Sequence, residues 1–378
     1  MKKVLLLVPS LGIGGQEKIA INTVKCLKAK YDVRLAVFQK RDIEYEYPCE
    51  VVDLDIPTQK GKIAKIRNQI KRMIKVARLR SRLNIDVVIS FGSTANITNI
   101  GSGVISKGKT ISAIHGFAEV EASLALKLIL KCSDKVICIA KAMQDKLLSL
   151  YPNAKNTVVI ENGYEIEQIT TKANEDIPAE LPHPLIVAMG RLETVKGFDR
   201  LIKAFAQARK SYPGMNLAIL GKGSLKESLE GLAQAEGVAD AVVFMGHQQN
   251  PYRFLKEADL FVLSSRNEGF PNALIEALSC GCPIVSVDCQ SGPREILSAQ
   301  YSPSPVKGIL EEEYGVLVEN AASEERIIDL LSKAFLLLMN NKEKRDKYRS
   351  NGLTRANQFN NQVYEKKIVE IIESLTKN

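Results

Sequence analysis

At 378 residues the chain exceeds the length at which one hydrophobic core usually keeps growing, so two domains are expected. Its 45% hydrophobic and 25% charged residues exclude a disordered or fibrous chain, and no apolar run approaches the roughly 20 residues that span a bilayer as a helix. The net charge of +9 is unevenly spread: Lys60 to Arg82 carries ten bases and no acid, and the remainder is close to neutral. Seven cysteines, an odd number without regular spacing, fit reduced thiols in the cytoplasm. Cys280 and Cys282 form a Cys-x-Cys with no second ligand pair nearby, so no metal site is expected.

Met1 to Val8 (MKKVLLLV) has the opening of a signal peptide, but its apolar part is only Val4 to Val8 before Pro9 and a Gly-rich turn, and it reads as a buried first strand. The turn from Leu11 through Gly14 and Gly15 to Glu17 leads into a helical face at Ile19, Ala20, Val24 and Leu27. Strand, glycine loop and helix make a mononucleotide-binding beginning. Glu17 stands where a dinucleotide fingerprint needs its third glycine, which weakens an NAD reading. Strands are expected at Val33 to Phe38 and Val51 to Asp55. The second ends in Asp53-Leu54-Asp55, a formal Asp-x-Asp that reads as a strand end running into a Pro-containing loop.

In the basic segment Ile63, Ile66, Ile70, Met73, Ile74 and Ala77 recur at intervals of three and four, one stripe of a helix, with Arg67, Lys71, Lys75, Arg78, Lys65 and Arg72 mainly opposite. A surface helix whose stripe packs on its own domain is the plain alternative, but such helices usually mix signs. The bases suit an anionic membrane surface or equally a lipid diphosphate. The lack of interleaved aromatics argues against nucleic acid. Strands then follow at Asp86 to Ser90, before the polar loop Phe91 to Asn96, at Thr110 to Ile114, before His115-Gly116, and at Lys135 to Ala140 and Val158 to Ile160. Loops at the carboxyl ends of such strands are where open α/β sheets hold ligands.

Glu165 to Pro184, rich in Glu, Thr and Pro without apolar periodicity, marks a boundary, giving domains of 1–167 with 359–378 and of 168–358. Leu185 to Met189 is a strand, followed by Gly190-Arg191-Leu192 and Lys196-Gly197 at a helix entrance. Leu217 to Leu220 runs into Gly221-Lys222-Gly223, with a helix through Glu230, and Val242 to Met245 into Gly246-His247. Ala258 to Ser264 is a strand and Ala273 to Leu278 helical, so the loop between them ends at a helix start. There the N–H groups of Asn272, Ala273 and Leu274, just past Pro271, would face an anion. Glu268 and Glu276 are eight residues apart. Acids beside an anion repel it, so they are expected to accept hydrogen bonds from ligand hydroxyls. A strand at Ile284 to Val287, a last strand at Gly315 to Glu319, and helices at Ser323 to Met339, Lys344 to Gln358 and Val363 to Leu375 complete the chain.

The run Glu268-Gly269-Phe270-Pro271-Asn272 to Glu276, taken with Gly190-Arg191-Leu192 to Lys196-Gly197, resembles the donor site of retaining glycosyltransferases of the GT-B fold, glycosyltransferase family 4. The resemblance implies an α/β chain of two Rossmann-like domains facing a cleft, with the C-terminal helix crossing back to the first. It implies that Arg191 and Lys196 hold the leaving diphosphate, that Glu268 contacts the transferred sugar and Glu276 the ribose, and that His115 lines the acceptor side. It also implies that the Gly14-Gly15 backbone approaches the diphosphate, and that Gly221, Gly223, His247 and Phe270 to Leu274 border the nucleotide sugar. The donor is expected to be a UDP-sugar, with no cofactor and no metal. The acceptor is expected to be a polyprenyl-diphosphate-linked glycan or related glycolipid at the cytoplasmic face of a membrane, met through the basic helix 60–82 and Arg67, Lys71, Arg72, Lys75 and Arg78. An epimerase of the same fold and a non-enzymatic nucleotide- or nucleic-acid-binding protein are the alternatives.

Overall fold

Most strands of the two sheets are aliphatic on both faces, as parallel sheets covered by helices on both sides require. The computed structural model describes residues 1–377 except 12–14, 41–46, 58, 60 and 177–181. The chain divides into two units, Met1–Tyr164 with Asn361–Asn378, and Glu165–Asn360.

The first unit runs β1 (Lys3–Val8), α1 (Gly15–Leu27), β2 (Asp32–Val37), β3 (Val51–Asp53), α2 (Lys62–Leu83), β4 (Val87–Phe91), α3 (Ser93–Ile105), β5 (Lys109–Ile114), α4 (Leu124–Cys132), β6 (Lys135–Cys138), α5 (Lys141–Leu150) and β7 (Thr157–Val159). All its strands pair in parallel in the order β3-β2-β1-β4-β5-β6-β7. The order reverses between β1 and β4, so the loops after these two strands diverge and leave a crevice at their carboxyl ends. Gly92, directly after β4, has φ 85° and lies so close to Gln16 that a Cβ there would be 3.0 Å from Gln16 Oε1.

The second unit runs α6 (Ile166–Ala173), β8 (Leu185–Met189), α7 (Phe198–Ser211), β9 (Asn216–Leu220), α8 (Lys226–Ala235), β10 (Val242–Gly246), α9 (Tyr252–Glu257), β11 (Leu260–Leu263), α10 (Asn272–Ser279), β12 (Ile284–Val287), α11 (Pro293–Leu297), β13 (Ile309–Glu311), β14 (Val316–Val318), α12 (Glu324–Met339) and α13 (Lys342–Ala356). Its sheet order is β10-β9-β8-β11-β12-β14-β13, with the switch between β8 and β11 and only β13 antiparallel. Phe198, Leu201 and Phe205 of α7 and Leu331, Phe335 and Leu338 of α12 pack over Ile186 and Val262 as one core. Among the elements that the sequence reading did not place, two bear on the second unit's edges. The stretch taken as a structureless boundary contains α6, whose Ile166, Ile169 and Ala173 are buried at helical spacing. The stretch before β14 also carries an edge strand, β13, that three residues of mixed polarity did not signal.

The last helix, α14 (Asn361–Thr376), belongs to the first unit and lies on α1. The Tyr364 hydroxyl is 2.7 Å from Thr23 Oγ1, Asn22 and Asn361 exchange side-chain hydrogen bonds of 2.7 and 2.9 Å, and Lys2 and Tyr31 both reach Glu373. Gly163 sits beneath the Tyr364 ring, where a Cβ would come within 2.6 Å of Tyr364 Cβ. Replacing Tyr364 by Ala removes a buried aromatic and its hydrogen bond together. It is expected to destabilise the first unit by about 3–5 kcal/mol, read as a lower urea midpoint with α14 hydrogen exchange raised first.

Candidate functional site

In the second unit, β8 and β11 are parallel neighbours, with Ile186 opposite Leu260 and Val187 opposite Phe261, so the loops that follow them share one end of the sheet. Lys196, on the first loop, and Glu268, on the second, are 72 residues apart and meet at 2.7 Å between Nζ and Oε1. Both are largely shielded, the side chains 23% and 11% exposed. Ser265 Oγ donates to the same carboxylate oxygen at 2.6 Å, and Ser264 Oγ donates to the Lys196 carbonyl at 3.0 Å.

Two arginines hold the loops in place. Arg200, fully buried on α7, donates Nε to the Ser264 carbonyl, Nη2 to the Ser265 carbonyl and Nη1 to Asn320 Oδ1. Arg266 forks onto both oxygens of Asp199 at 2.8 Å and donates to the Thr194 carbonyl, while its backbone N–H bonds the Val195 carbonyl. Gly197 makes this nesting possible: its φ is 64°, and a Cβ would lie 2.2 Å from the Ser264 carbonyl oxygen. None of Ser265, Arg200 or Arg266 was singled out from the sequence. Arg200 reads as an ordinary base of an amphipathic helix until the fold turns it inward.

The other donor-side residues fall into distinct environments. The Lys196 side chain lies along Gly190, next to Arg191, whose own side chain is 67% exposed and paired at 2.9 Å with Glu193. Glu276 is buried on α10, with the Tyr252 hydroxyl 3.4 Å from its carboxylate. Phe270 is also buried and meets the Phe359 ring edge-on at 5.6 Å, so its side chain serves the unit's interior. Leu274 is core as well, and its N–H closes onto the Pro271 carbonyl, leaving Asn272 and Ala273 as the half-buried start of α10 with Pro271 buried before them. Gly221 and Gly223 have a packing role: Cβ atoms there would lie 1.8 Å from the Gly190 carbonyl oxygen and 2.4 Å from that of Leu192. His247 is exposed beside them, the preceding Gly246 accepting a hydrogen bond from Gly221.

In the first unit His115 stands at the carboxyl end of β5, its ring 5.4 Å from that of Phe91. Its Nε2 is buried with no partner among the described residues, and burial pushes its pKa down to about 4, so the imidazole is neutral at ordinary pH. Glu119, which the sequence reading passed over, fixes this loop: one oxygen accepts the N–H groups of His115 and Gly116, the other the Ser93 hydroxyl at 2.7 Å. An acid three residues past Gly116, at the start of a helical turn, was the available signal. Gly15 begins α1, and Gly14 lies outside the described residues.

The basic helix departs from expectation. Lys60 lies outside the described residues, and α2 spans Lys62–Leu83. Its isoleucine row faces solvent, and Arg72, one of the bases assigned to the outer face, is buried with Nη2 on the Ile56 carbonyl and its guanidinium 4.1 Å from the Phe38 ring centroid. Arg80 is buried as well, on Ser102 Oγ and the Lys109 carbonyl. Arg67, Lys71, Lys75 and Arg78 remain exposed, Lys75 bonding the Leu54 carbonyl. Among the described residues no helix is long and apolar enough to cross a membrane.

Two doubly wound units with polar side chains gathered at strand carboxyl ends define a chain built like nucleotide-binding α/β proteins. Residues 13–168 match the family model Glycosyltransferase Family 4, and residues 170–355 match Glycosyl transferases group 1. An uncharacterized glycosyltransferase of Methanocaldococcus jannaschii is 30% identical over 328 residues, 77% of this chain and 80% of that one. The N-acetylgalactosamine-N,N'-diacetylbacillosaminyl-diphospho-undecaprenol 4-alpha-N-acetylgalactosaminyltransferase of Campylobacter jejuni is 28% identical over 333 residues, 84% and 86% of the two chains. Among solved structures, Anabaena HepE in complex with UDP and glucose superposes with a TM-score of 0.78 at 19% identity, over 99% of this chain and 100% of that one. The lipopolysaccharide outer core galactosyltransferase WaaB gives 0.73 at 18%, over 98% and 99%. The chain belongs to glycosyltransferase family 4 and has the GT-B fold.

Two outcomes follow from the geometry. Gly197→Ala forces a side chain onto the Ser264 carbonyl at a left-handed φ, and is expected to lower stability by about 1–3 kcal/mol, measured by urea unfolding. For His115, the unfolded chain takes up a proton below its ordinary pKa of 6.5 while the folded chain does so only near 4. Stability therefore falls as pH drops through that window, by up to about 3 kcal/mol, and His115→Gln should flatten this part of the urea-midpoint profile.

Proposed function

We propose that this glycosyltransferase moves a hexose or N-acetylhexosamine from a UDP-sugar, with retention and without a metal, to a polyprenyl-diphosphate-linked glycan or related glycolipid at the inner face of the cell membrane. The observation that carries the reading is the Lys196–Glu268 contact at the β8/β11 switch, one loop away from the start of α10. One ammonium hydrogen on Glu268 leaves two for phosphate oxygens, and the ion pair keeps the cation's charge compensated until a diphosphate competes for it. Breaking the anomeric carbon–phosphate bond loads negative charge on the diphosphate, which Lys196, Arg191 and the N–H groups opening α10 would stabilise. Glu268, once released, would accept hydrogen bonds from sugar hydroxyls, and Glu276 from the ribose. A neutral His115 would offer the acceptor side a hydrogen-bond partner without repelling a positively charged sugar carbon. The departing phosphate oxygen would take the acceptor's proton on the face it leaves.

Two relatives support the substrate classes. The Campylobacter jejuni transferase carries diphospho-undecaprenol in the name of its substrate, and HepE was crystallised with UDP and glucose. The seven exposed bases of α2 supply attraction for an anionic lipid surface.

Incubation with a panel of UDP-sugars and a membrane lipid extract is expected to consume one donor only when lipid is present. Lys196→Ala should lower that turnover about 100- to 1,000-fold with the urea midpoint nearly unchanged. Near-normal turnover in the variant would remove Lys196 from the mechanism. Interconversion of free UDP-sugar without acceptor would point to an epimerase instead.

A further inference from the structure

The isoleucines of α2 form a row of aliphatic side chains left in water: Ile63, Ile66, Ile70 and Ile74 are 85%, 62%, 51% and 38% exposed. On α4, Leu124 and Leu128 are 75% and 41% exposed. Helix α2 packs on α3 and α3 on α4. Each of the three returns the chain between parallel strands, so all run from the carboxyl ends of the strands toward the amino ends. The amino-terminal halves of α2 and α4, with Ile63, Ile66, Ile70, Leu124 and Leu128, therefore lie at the same end of the unit as His115. The exposed pair Val104 and Ile105 closes α3 at the opposite end.

The charges around the isoleucine row are of one sign. Helix α2 has no acid, its exposed bases are Lys62, Lys65, Arg67, Lys71, Lys75, Arg78 and Arg82, and none of these forms an ion pair among the described residues. Helix α4 adds Lys127 and Lys131, against the acids Glu121 and the already bonded Glu119. A second copy of the chain docked here would set these bases against each other. Aliphatic side chains flanked by long basic ones instead match the boundary between lipid phosphates and acyl chains, the stems packing on hydrocarbon while the heads stay in water.

We propose that this end of the first unit seats in an anionic bilayer, with Ile63, Ile66, Ile70, Leu124 and Leu128 entering the acyl boundary and the bases on lipid phosphates. It rests on the reading of a membrane-borne acceptor and adds to it an inserted aliphatic face, which turns the His115 end of the sheet toward the lipid.

The test is flotation of the full chain with vesicles of phosphatidylglycerol and phosphatidylcholine. Ile63→Ser/Ile66→Ser/Ile70→Ser and Leu124→Ser/Leu128→Ser should each weaken binding more than about tenfold, with thermal midpoints unchanged because the positions are exposed. Val104→Ser/Ile105→Ser should stay within about twofold, and part of the wild-type binding should survive about 0.5 M salt, which screens the bases alone. Unchanged binding in the isoleucine variant, or complete release of the wild type by salt, overturns the proposal. So does self-association that the variant abolishes without any vesicle binding. Transfer to a short-chain, water-soluble acceptor separates the two readings: its absence in the wild type counts against the sugar-transfer reading, while the vesicle result alone decides the docking face.

Discussion

The second unit is organised by the need to hold a lysine and a glutamate, 72 residues apart, on one side of a parallel sheet. Neighbouring parallel strands deliver their following loops to the same end, and at the β8/β11 reversal those loops have no crossover helix between them. Proximity alone would not fix a contact of 2.7 Å. Arg200 fixes it from below by taking the carbonyls of Ser264 and Ser265, and Arg266 from the side by clamping Asp199 and the Thr194 carbonyl. A buried guanidinium costs desolvation, and here two of its arms end on carbonyls of the loop it positions and the third on Asn320 Oδ1. The stability lost to burying Arg200 is returned as rigidity where Glu268 stands.

The glycines around the site follow from the same nesting. Gly197, Gly221, Gly223 and Gly292 each sit where a Cβ would strike a neighbouring loop, at the Ser264, Gly190 and Leu192 carbonyls and at Pro271 Cδ. Backbone packs directly on backbone, so the loops cannot shift independently. Ser291 Oγ, 2.6 Å from the Gly269 carbonyl, adds a further tie from the loop after β12. Chemistry that depends on charge developing at fixed atoms gains from such pre-organisation, because no reorientation of loops is needed as the charge appears.

Much of this was legible from residues alone, and the failures have a common cause. Period changes at strand ends located most of the strands, and the family resemblance carried by Gly190 to Gly197 and Glu268 to Glu276 pointed to the two residues that meet. What the sequence withheld was direction. Phe270 looked like part of a pocket and is turned toward Phe359; Arg72 looked like a surface base and lies under Phe38. Glu119 and Arg200 carry ordinary side chains in ordinary positions, and their roles come from backbone groups that approach only once the strands are paired. Helix α6 was missed because three apolar residues over eight positions are a weak period beside the Glu and Thr that surround them.

Helix α2 shows the same ambiguity at the scale of a whole element. An amphipathic pattern states that two faces differ and leaves open which one is inside. Here the inner face is closed by Asn68, Arg72, Val76, Leu79 and Arg80; the Asn68 amide and the guanidinium tips bond the carbonyls of Pro57, Ile56 and Lys109 and Ser102 Oγ, while the Nε atoms of Arg72 and Arg80 are buried with no partner among the described residues. Burial holds the Arg80 guanidinium down to about 10, still charged at any ordinary pH, so the unit carries a buried cation beneath the outward isoleucine row. A sequence that spends aliphatic residues on solvent and cations on the interior is not optimised for the isolated domain. The proposed bilayer seating gives the outward isoleucines an apolar place to go, and the seven exposed bases of α2, with no acid on the helix, suit an anionic rim around it.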